Sequence, residues 1–226
     1  MFYYDYYSII ILIPLMIFSF IIQGVLNSTY NKYSKTRTAK GSTGADIARA
    51  ILYSAGIMDV SVEMVAGNLT DHFDPTKNVI RLSENVYNGT SISSIGVAAH
   101  ETGHALQYAQ RYAPMQIRSA IVGVTNFSSK ILYFLMILSF VMSLPILCDL
   151  AVICFVVIFF FQLITLPVEF NASSRAVEQI RKLGYSNDEI SGVKKVLGAA
   201  AMTYVAAMLY SLGQLITFIL RTRDRD

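Results

Sequence analysis

The stretch from Ile131 to Val168 is 38 residues long and carries one charge, Asp149. As a single straight helix it would reach about 57 Å, nearly twice the hydrocarbon core of a bilayer. Pro145 and Asp149 lie near its midpoint, and a proline inside a helix removes a hydrogen bond and clashes with the preceding turn. The run therefore predicts a two-helix membrane hairpin, roughly 131–147 and 150–167. A second run, Ile9 to Leu26, has 18 residues and no charge, long enough to cross once. The residues ahead of it, MFYYDYYS, contain no basic n-region, and no small-x-small cleavage site follows. This predicts a retained anchor with interfacial tyrosines rather than a cleaved signal. A third run, 196–220, is Ala-rich and interrupted by Thr203, Ser211, Gln214 and Thr217. It reads equally as a further span or as a helix packed on the others.

Basic residues set the orientation of these runs. Lys32, Lys35, Arg37 and Lys40 follow the first run, whereas Asp5 is the only charge before it. Lys130 precedes the hairpin, and Arg175, Arg181 and Lys182 follow it. Lys and Arg accumulate at the cytoplasmic ends of spans, so the bias puts the N-terminus and the hairpin turn outside. Residues 27–130 and the segment after 168 then lie in the cytoplasm. The terminal RTRDRD favours a cytoplasmic end and argues against a crossing by the last run. Hydrophobic residues at 54% and charged residues at 15% depart from a soluble norm of about 45–50% and about 25%, in the direction of a membrane protein. A net charge of +3, with no Lys/Arg run interleaved with aromatics, argues against a nucleic-acid partner. Cys148 and Cys154 lie in apolar sequence without a CxxC and read as small buried hydrophobes.

Residues 27–130 are the stretch able to build a water-facing domain. STGADIARAIL offers Ser42 or Thr43 as an N-cap, apolar Ile47, Ala48, Ile51 and Leu52 on one face, and Gly56 as a stop. DVSVEMV at 59–65 alternates like a strand, and a turn at Asp74-Pro75 leads to a second short strand near 78–82. Ser91 or Ser93 then caps a helix reading SISSIGVAAHETGHALQYAQ.

That helix holds HETGH, from His100 to His104. Side chains four apart share a helix face, so both imidazoles can bind one ion, and neutral imidazole nitrogen suits Zn²⁺. Glu101 is placed to take a proton from the attacking water and return it to a leaving amine, while the metal acidifies the water and polarises the scissile carbonyl. In a chain with three His and six Glu, shuffled order yields HExxH about once in a thousand sequences, which sets coincidence aside. The bland alternative is a helix with two hydrogen-bonded core histidines.

An open catalytic zinc site takes three protein ligands, and no third His follows at metzincin spacing. Among later acids, Glu169 in LPVEFNASSRAVE comes straight after the hairpin, at a depth where a carboxylate is costly and marks function. On a helix it shares a face with Ala172, Ser173 and Ala176, small residues that permit close approach of the motif helix. These residues predict a His2Glu site for one zinc per chain, with Glu178 or His72 as the alternative third ligand. An interfacial ion pair with Arg175 is the bland reading of Glu169. His72, in TDHFDP, and Arg175, within two turns of Glu169, are the candidates to stabilise the transition-state oxyanion, with Tyr87 and Tyr204 behind them. The segment ahead of the motif helix offers a sheet edge for a substrate strand.

Four stretches, TGADIARAIL, LTDHFDPTKNVIRLSENVYNG, SIGVAAHETGHALQ and LPVEFNASSRA, resemble the YugP-like family of neutral zinc metallopeptidases, which are bacterial membrane proteins. They cover most of 40–112 and 165–185. The resemblance implies an integral protein of the bacterial cell membrane, with His100, His104 and Glu169 as zinc ligands and Glu101 as catalytic base. More distantly, the chain resembles membrane peptidases that insert a hairpin between HExxH and a later ExxxD. There the Asp holds a ligand histidine. Here Ser173 stands in its place, a hydroxyl that accepts the same hydrogen bond without charge. Asn171 and Asp74 are the other candidates for that outer role.

Together these features predict an α-helical membrane protein with three or four transmembrane helices and a small α+β zincin-like metallopeptidase domain. Its parts are an anchor at 1–26, a cytoplasmic domain at 27–130, a hairpin at 131–168, a helix with the third ligand at 169–195, and an apolar C-terminal helix with charged tail at 196–226. The expected activity is that of a zinc-dependent endopeptidase, with a membrane-associated polypeptide as substrate and the lipid bilayer as its other partner. One rival is a catalytically inactive zincin-fold adaptor with a structural metal, against which the intact Glu101 argues. Another is a metal transporter, for which the apolar runs offer no charged path beyond Asp149.

Overall fold

The computed structural model describes residues 6–142 and 144–223; Asp5 and the last three residues of the charged tail lie outside them. In chain order the elements are helices α1 (Tyr6–Ser34) and α2 (Gly44–Ser54), strands β1 (Ser61–Val65), β2 (His72–Asp74) and β3 (Val79–Ser83), and helices α3 (Glu84–Tyr87), α4 (Ile92–Ala109), α5 (Ala113–Met142), α6 (Pro145–Lys182) and α7 (Asn187–Arg223). Four of these, α1, α5, α6 and α7, are long and apolar enough to cross a membrane. The fold is thus mostly helical with one small sheet. The long apolar run breaks at Leu144, with Pro145 opening α6, a position where its missing N–H would have had no partner anyway. Asp149 lies inside α6, and the helix continues through Pro167 to Lys182. The first hairpin helix begins at Ala113, well ahead of residue 131.

The chain divides into two compact units. One comprises the described parts of Met1–Gln23, Gln116–Pro167 and Thr203–Asp226. Its core gathers Leu132, Leu135, Cys148, Ala151, Cys154, Phe155 and Phe218, so both cysteines are buried among apolar side chains, with Cys148 Sγ also 2.8 Å from Ser139 Oγ. The other unit comprises Gly24–Met115 and Val168–Met202.

Within the second unit, local chemistry starts helices α2 and α4 where the sequence expects, whereas strand β2 and the short helix α3 are additions to that reading. Thr43 caps α2 in a full capping box: its hydroxyl accepts from Asp46 N at 3.1 Å, and its own N–H donates to Asp46 Oδ2 at 2.9 Å. Ser91 caps α4, accepting from Ser94 N at 3.1 Å. Gly56 leaves α2 in the left-handed region at φ +70. The sheet runs β1-β3-β2, with β1 parallel and β2 antiparallel to the central β3. Strand β2 occupies His72–Asp74 and so runs into the first residue of the expected Asp74-Pro75 turn. It packs beside α4, where the Phe73 and Tyr108 rings lie 5.9 Å apart.

Helix α4 lies between two cores. Ala98 and Ala105 pack with Ala48, Leu52, Ile80, Leu82 and Val86, from α2, β3 and α3. Ile92, Ile95, Ala99 and Leu106 pack with Ile47 and Ile51, and with Ala176, Ile180, Ile190 and Val193 of α6 and α7. Ile51 and Ile95 are fully buried, and each such side chain contributes about 1.5–3 kcal/mol of burial. The approach of α6 is set at Gly103. A Cβ there would lie 2.7 Å from the carbonyl oxygen of Ala172, closer than real contacts allow, so α4 and α6 meet backbone to backbone. Gly103→Ala should therefore destabilise the protein by about 1–3 kcal/mol through forced separation of the two helices. Thermal unfolding of the detergent-solubilised variant tests this, and an unchanged melting temperature would mean that the helices are not held this close.

Candidate metal centre

The close contact of α4 and α6 puts the HETGH face opposite the start of the segment Val168–Met202. Among the described residues His100, His104 and Glu169 form a group whose potential ligand atoms all lie within 4.8 Å of one another, a spacing at which one ion can be held by all three. Glu169 is only 2% exposed. Its Oε2 lies 3.2 Å from His100 Nε2 and 3.6 Å from His104 Nε2. The two rings meet edge to face, 4.8 Å between centroids.

The far nitrogen of each ring is already engaged. His100 Nδ1 lies 3.2 Å from the Ser173 hydroxyl, and His104 Nδ1 lies 3.0 Å from Gln107 Oε1. Each ring thus has an oxygen beside Nδ1 and the Glu169 carboxylate beside Nε2: when protonated it can donate to both, and when neutral with the proton on Nδ1 it offers the Nε2 lone pair to an ion. Burial works against a charge on His104, yet the hydrogen bond to Glu169 and the charges of Glu101 and Glu169 outweigh it and push the imidazole above its ordinary value. Two imidazole nitrogens and a carboxylate in a negative field are a donor set that suits a zinc ion.

Other residues singled out in the sequence fall at different distances from this group. Glu101 is half-buried beside it, and its carboxylate accepts no side-chain hydrogen bond from the described residues. Asn171 is hydrogen-bonded to neither histidine. Its Oδ1 accepts from Gln107 Nε2 at 3.0 Å and from Arg175 Nε at 2.6 Å. Arg175 also donates to Gln110 Oε1 at 2.5 Å and lies over the Tyr112 ring, so its guanidinium braces α6 against the end of α4. Glu178 is exposed and paired with Lys182 at 2.7 Å. His72 is on β2, with Nδ1 2.7 Å from Thr70 O. Asp74 is taken up by its own turn and by Arg81: Oδ1 accepts from Thr76 N at 3.0 Å and Thr76 Oγ1 at 2.6 Å, and Oδ2 from Arg81 Nη1 at 3.1 Å. The arrangement thus gathers His100, His104, Glu169 and Ser173, links Asn171 at one remove and Arg175 at two, and keeps Glu178, His72 and Asp74 with other partners.

Gln107 belongs to the site and escapes a reading of the sequence. A glutamine in an apolar helix is an ordinary surface residue until its burial is known, and here it is 0% exposed. The available signal is its place three residues after His104, on the same helix face.

The profile of a family described as "Putative neutral zinc metallopeptidase" matches residues 8–223. The chain belongs to that family. It is also 49% identical, over 203 residues covering 89% of this chain and 90% of the relative, to the "Putative membrane protease YugP" of Bacillus subtilis (strain 168). No solved structure matches. The family's own description names zinc, in agreement with the donor set.

Glu169→Ala should strip the metal. Elemental analysis of detergent-purified protein should find close to one zinc per wild-type chain. The variant should lose affinity by more than the roughly 10–100-fold that an outer partner of a ligand costs. Full zinc content in the variant would move the third ligand elsewhere.

Proposed function

We propose that the chain is a membrane-bound zinc endopeptidase that cuts membrane-associated polypeptides, with His100, His104 and Glu169 as the metal ligands and Glu101 as general base. The observation that carries this reading is the convergence of His100 Nε2 and His104 Nε2 on the buried Glu169 carboxylate. Zinc bound by these three would act as a Lewis acid, acidifying a water and polarising the scissile carbonyl. Glu101, free of side-chain hydrogen bonds among the described residues, takes the water's proton on its carboxylate and delivers it to the departing peptide nitrogen. Ser173 holds the His100 ring. The burial of α4 between two cores keeps the backbone of the motif from yielding as substrate binds.

In this reading Gly24–Met115 with Val168–Met202 is a zincin-like catalytic domain, and α1, α5, α6 and α7 each cross the membrane. The basic residues Lys32, Lys35, Arg37, Lys40, Arg175, Arg181 and Lys182 all belong to the catalytic unit, which supports a cytoplasmic location for it.

Two measurements test the proposal. Glu101→Gln should retain its zinc and hydrolyse labelled casein about 10²–10⁴-fold more slowly than wild type; a wild-type rate would remove Glu101 from the chemistry. For topology, Asp59 and Leu144 are exposed. Leu144→Cys should react with a membrane-impermeant maleimide in intact cells, and Asp59→Cys only after lysis. The reverse pattern would put the catalytic unit outside.

A further inference from the structure

Gln107 makes three hydrogen bonds from a fully buried amide, and its partners leave that amide a single orientation. Its Nε2 lies 2.7 Å from the backbone oxygen of Val168 and 3.0 Å from Asn171 Oδ1; its Oε1 lies 3.0 Å from His104 Nδ1. A backbone carbonyl can only accept, so the atom facing Val168 has to be the nitrogen. The Asn171 amide is oriented from its other side. Arg175 Nε lies 2.6 Å from Asn171 Oδ1, and a guanidinium can only donate, so Asn171 has to present its oxygen to both neighbours. With Gln107 Nε2 committed to two acceptors, Oε1 is what remains for His104. That atom accepts a proton from Nδ1 and leaves the lone pair of His104 on Nε2, the nitrogen beside Glu169.

We propose that Gln107 is the positioning residue that fixes the tautomer and ring orientation of His104, held in that role by the Val168 carbonyl and by Asn171 anchored on Arg175. The proposal rests on the reading of His104 as a metal ligand. It assigns Arg175 a part in this network, three hydrogen bonds away from the histidine, in place of a contact with the reacting groups. His100 is oriented separately, by the Ser173 hydroxyl, so the two ligands are set by independent partners.

The test uses the full chain in detergent and reads zinc affinity by competition with a chromogenic chelator. Gln107→Met keeps the length of the side chain and removes the acceptor; it should weaken zinc binding about tenfold to a hundredfold. Gln107→Glu keeps an oxygen for His104 Nδ1 and, when protonated, a donor for Val168 O. It should stay within a few-fold of wild type. A purely structural amide would behave differently: Gln107→Met would unfold at lower temperature yet bind zinc as tightly as wild type, or both variants would lose zinc equally. Either outcome overturns the proposal. A direct reading on the unaltered protein guards against a variant that fails to fold. In the zinc-loaded wild type labelled with ¹⁵N-histidine, the His104 proton should be found on Nδ1 with Nε2 on the metal. The opposite assignment also overturns it. If the wild type takes up no zinc at all, what fails is the assignment of the three ligands, and the elemental analysis shows that separately.

Discussion

A carboxylate that is only 2% exposed is the fact around which the unit that carries the metal centre is built. An unpaired buried charge of this kind costs several kcal/mol even after the protein relaxes around it. Glu169 is tolerable because two imidazoles face it at 3.2 and 3.6 Å. Those imidazoles can face it only because α4 and α6 come close at Gly103 and Ala172. Each condition depends on the one before. A glycine in the middle of a helix costs about 1 kcal/mol relative to alanine, and here the missing side chain lets the two elements that carry the site pack close enough to share one group.

The helix that bears the motif is polar in places where a buried helix is ordinarily apolar. Ser93, Ser94, Thr102 and Gln107 are all buried, and each has a partner. The hydroxyls donate to Tyr30 O at 3.0 Å, Asn85 O at 3.1 Å and Ala98 O at 2.7 Å respectively, and Gln107 to Val168 O. A satisfied buried network rigidifies its surroundings, whereas a half-satisfied one is costly. Tied to α1, α3 and α6 through these bonds and packed on two apolar cores, α4 is a fixed platform on which His100 and His104 keep their relative placement.

How much of this can be read from the sequence depends on how local the cause is. The caps at Thr43 and Ser91 and the pairing of His100 with His104 on one face follow from residues within a few positions of each other, as does a break near Pro145, although it falls ahead of the proline and not between 147 and 150. Glu169 stands out because a carboxylate beside an apolar run needs a reason to be there. Strand β2 does not stand out: His72–Asp74 is too short to show a period of two, and it exists because β3 offers an edge to pair with. Gln107 is invisible for a similar reason, since the groups that define it, Val168 O and Asn171 Oδ1, lie 61 and 64 residues further along the chain. Arg175 illustrates the converse. Its nearness to Glu169 is evident from spacing, but the direction of its guanidinium, towards Asn171 and Gln110, is set by what α4 presents.

Orientation and charge are supplied by different residues in this centre. The partners that hold the two rings are a hydroxyl and a carboxamide, Ser173 and Gln107, and neither adds charge. The negative field acting on His104 comes from Glu101 and Glu169. Where a carboxylate plays the orienting role, a change made to steer a ring also changes the electrostatics of the metal, because the outer partner raises the basicity of its ligand. Here the two can vary separately: the His104 ring is held through Gln107 by a backbone carbonyl and a distant arginine, and the His100 ring by a hydroxyl, while the charge stays with one carboxylate among the proposed ligands and one beside them. The same separation explains why a serine can stand at position 173. Orienting His100 needs an acceptor within reach of Nδ1, and a hydroxyl on the face that already carries Glu169 meets that need without burying a second carboxylate next to the first.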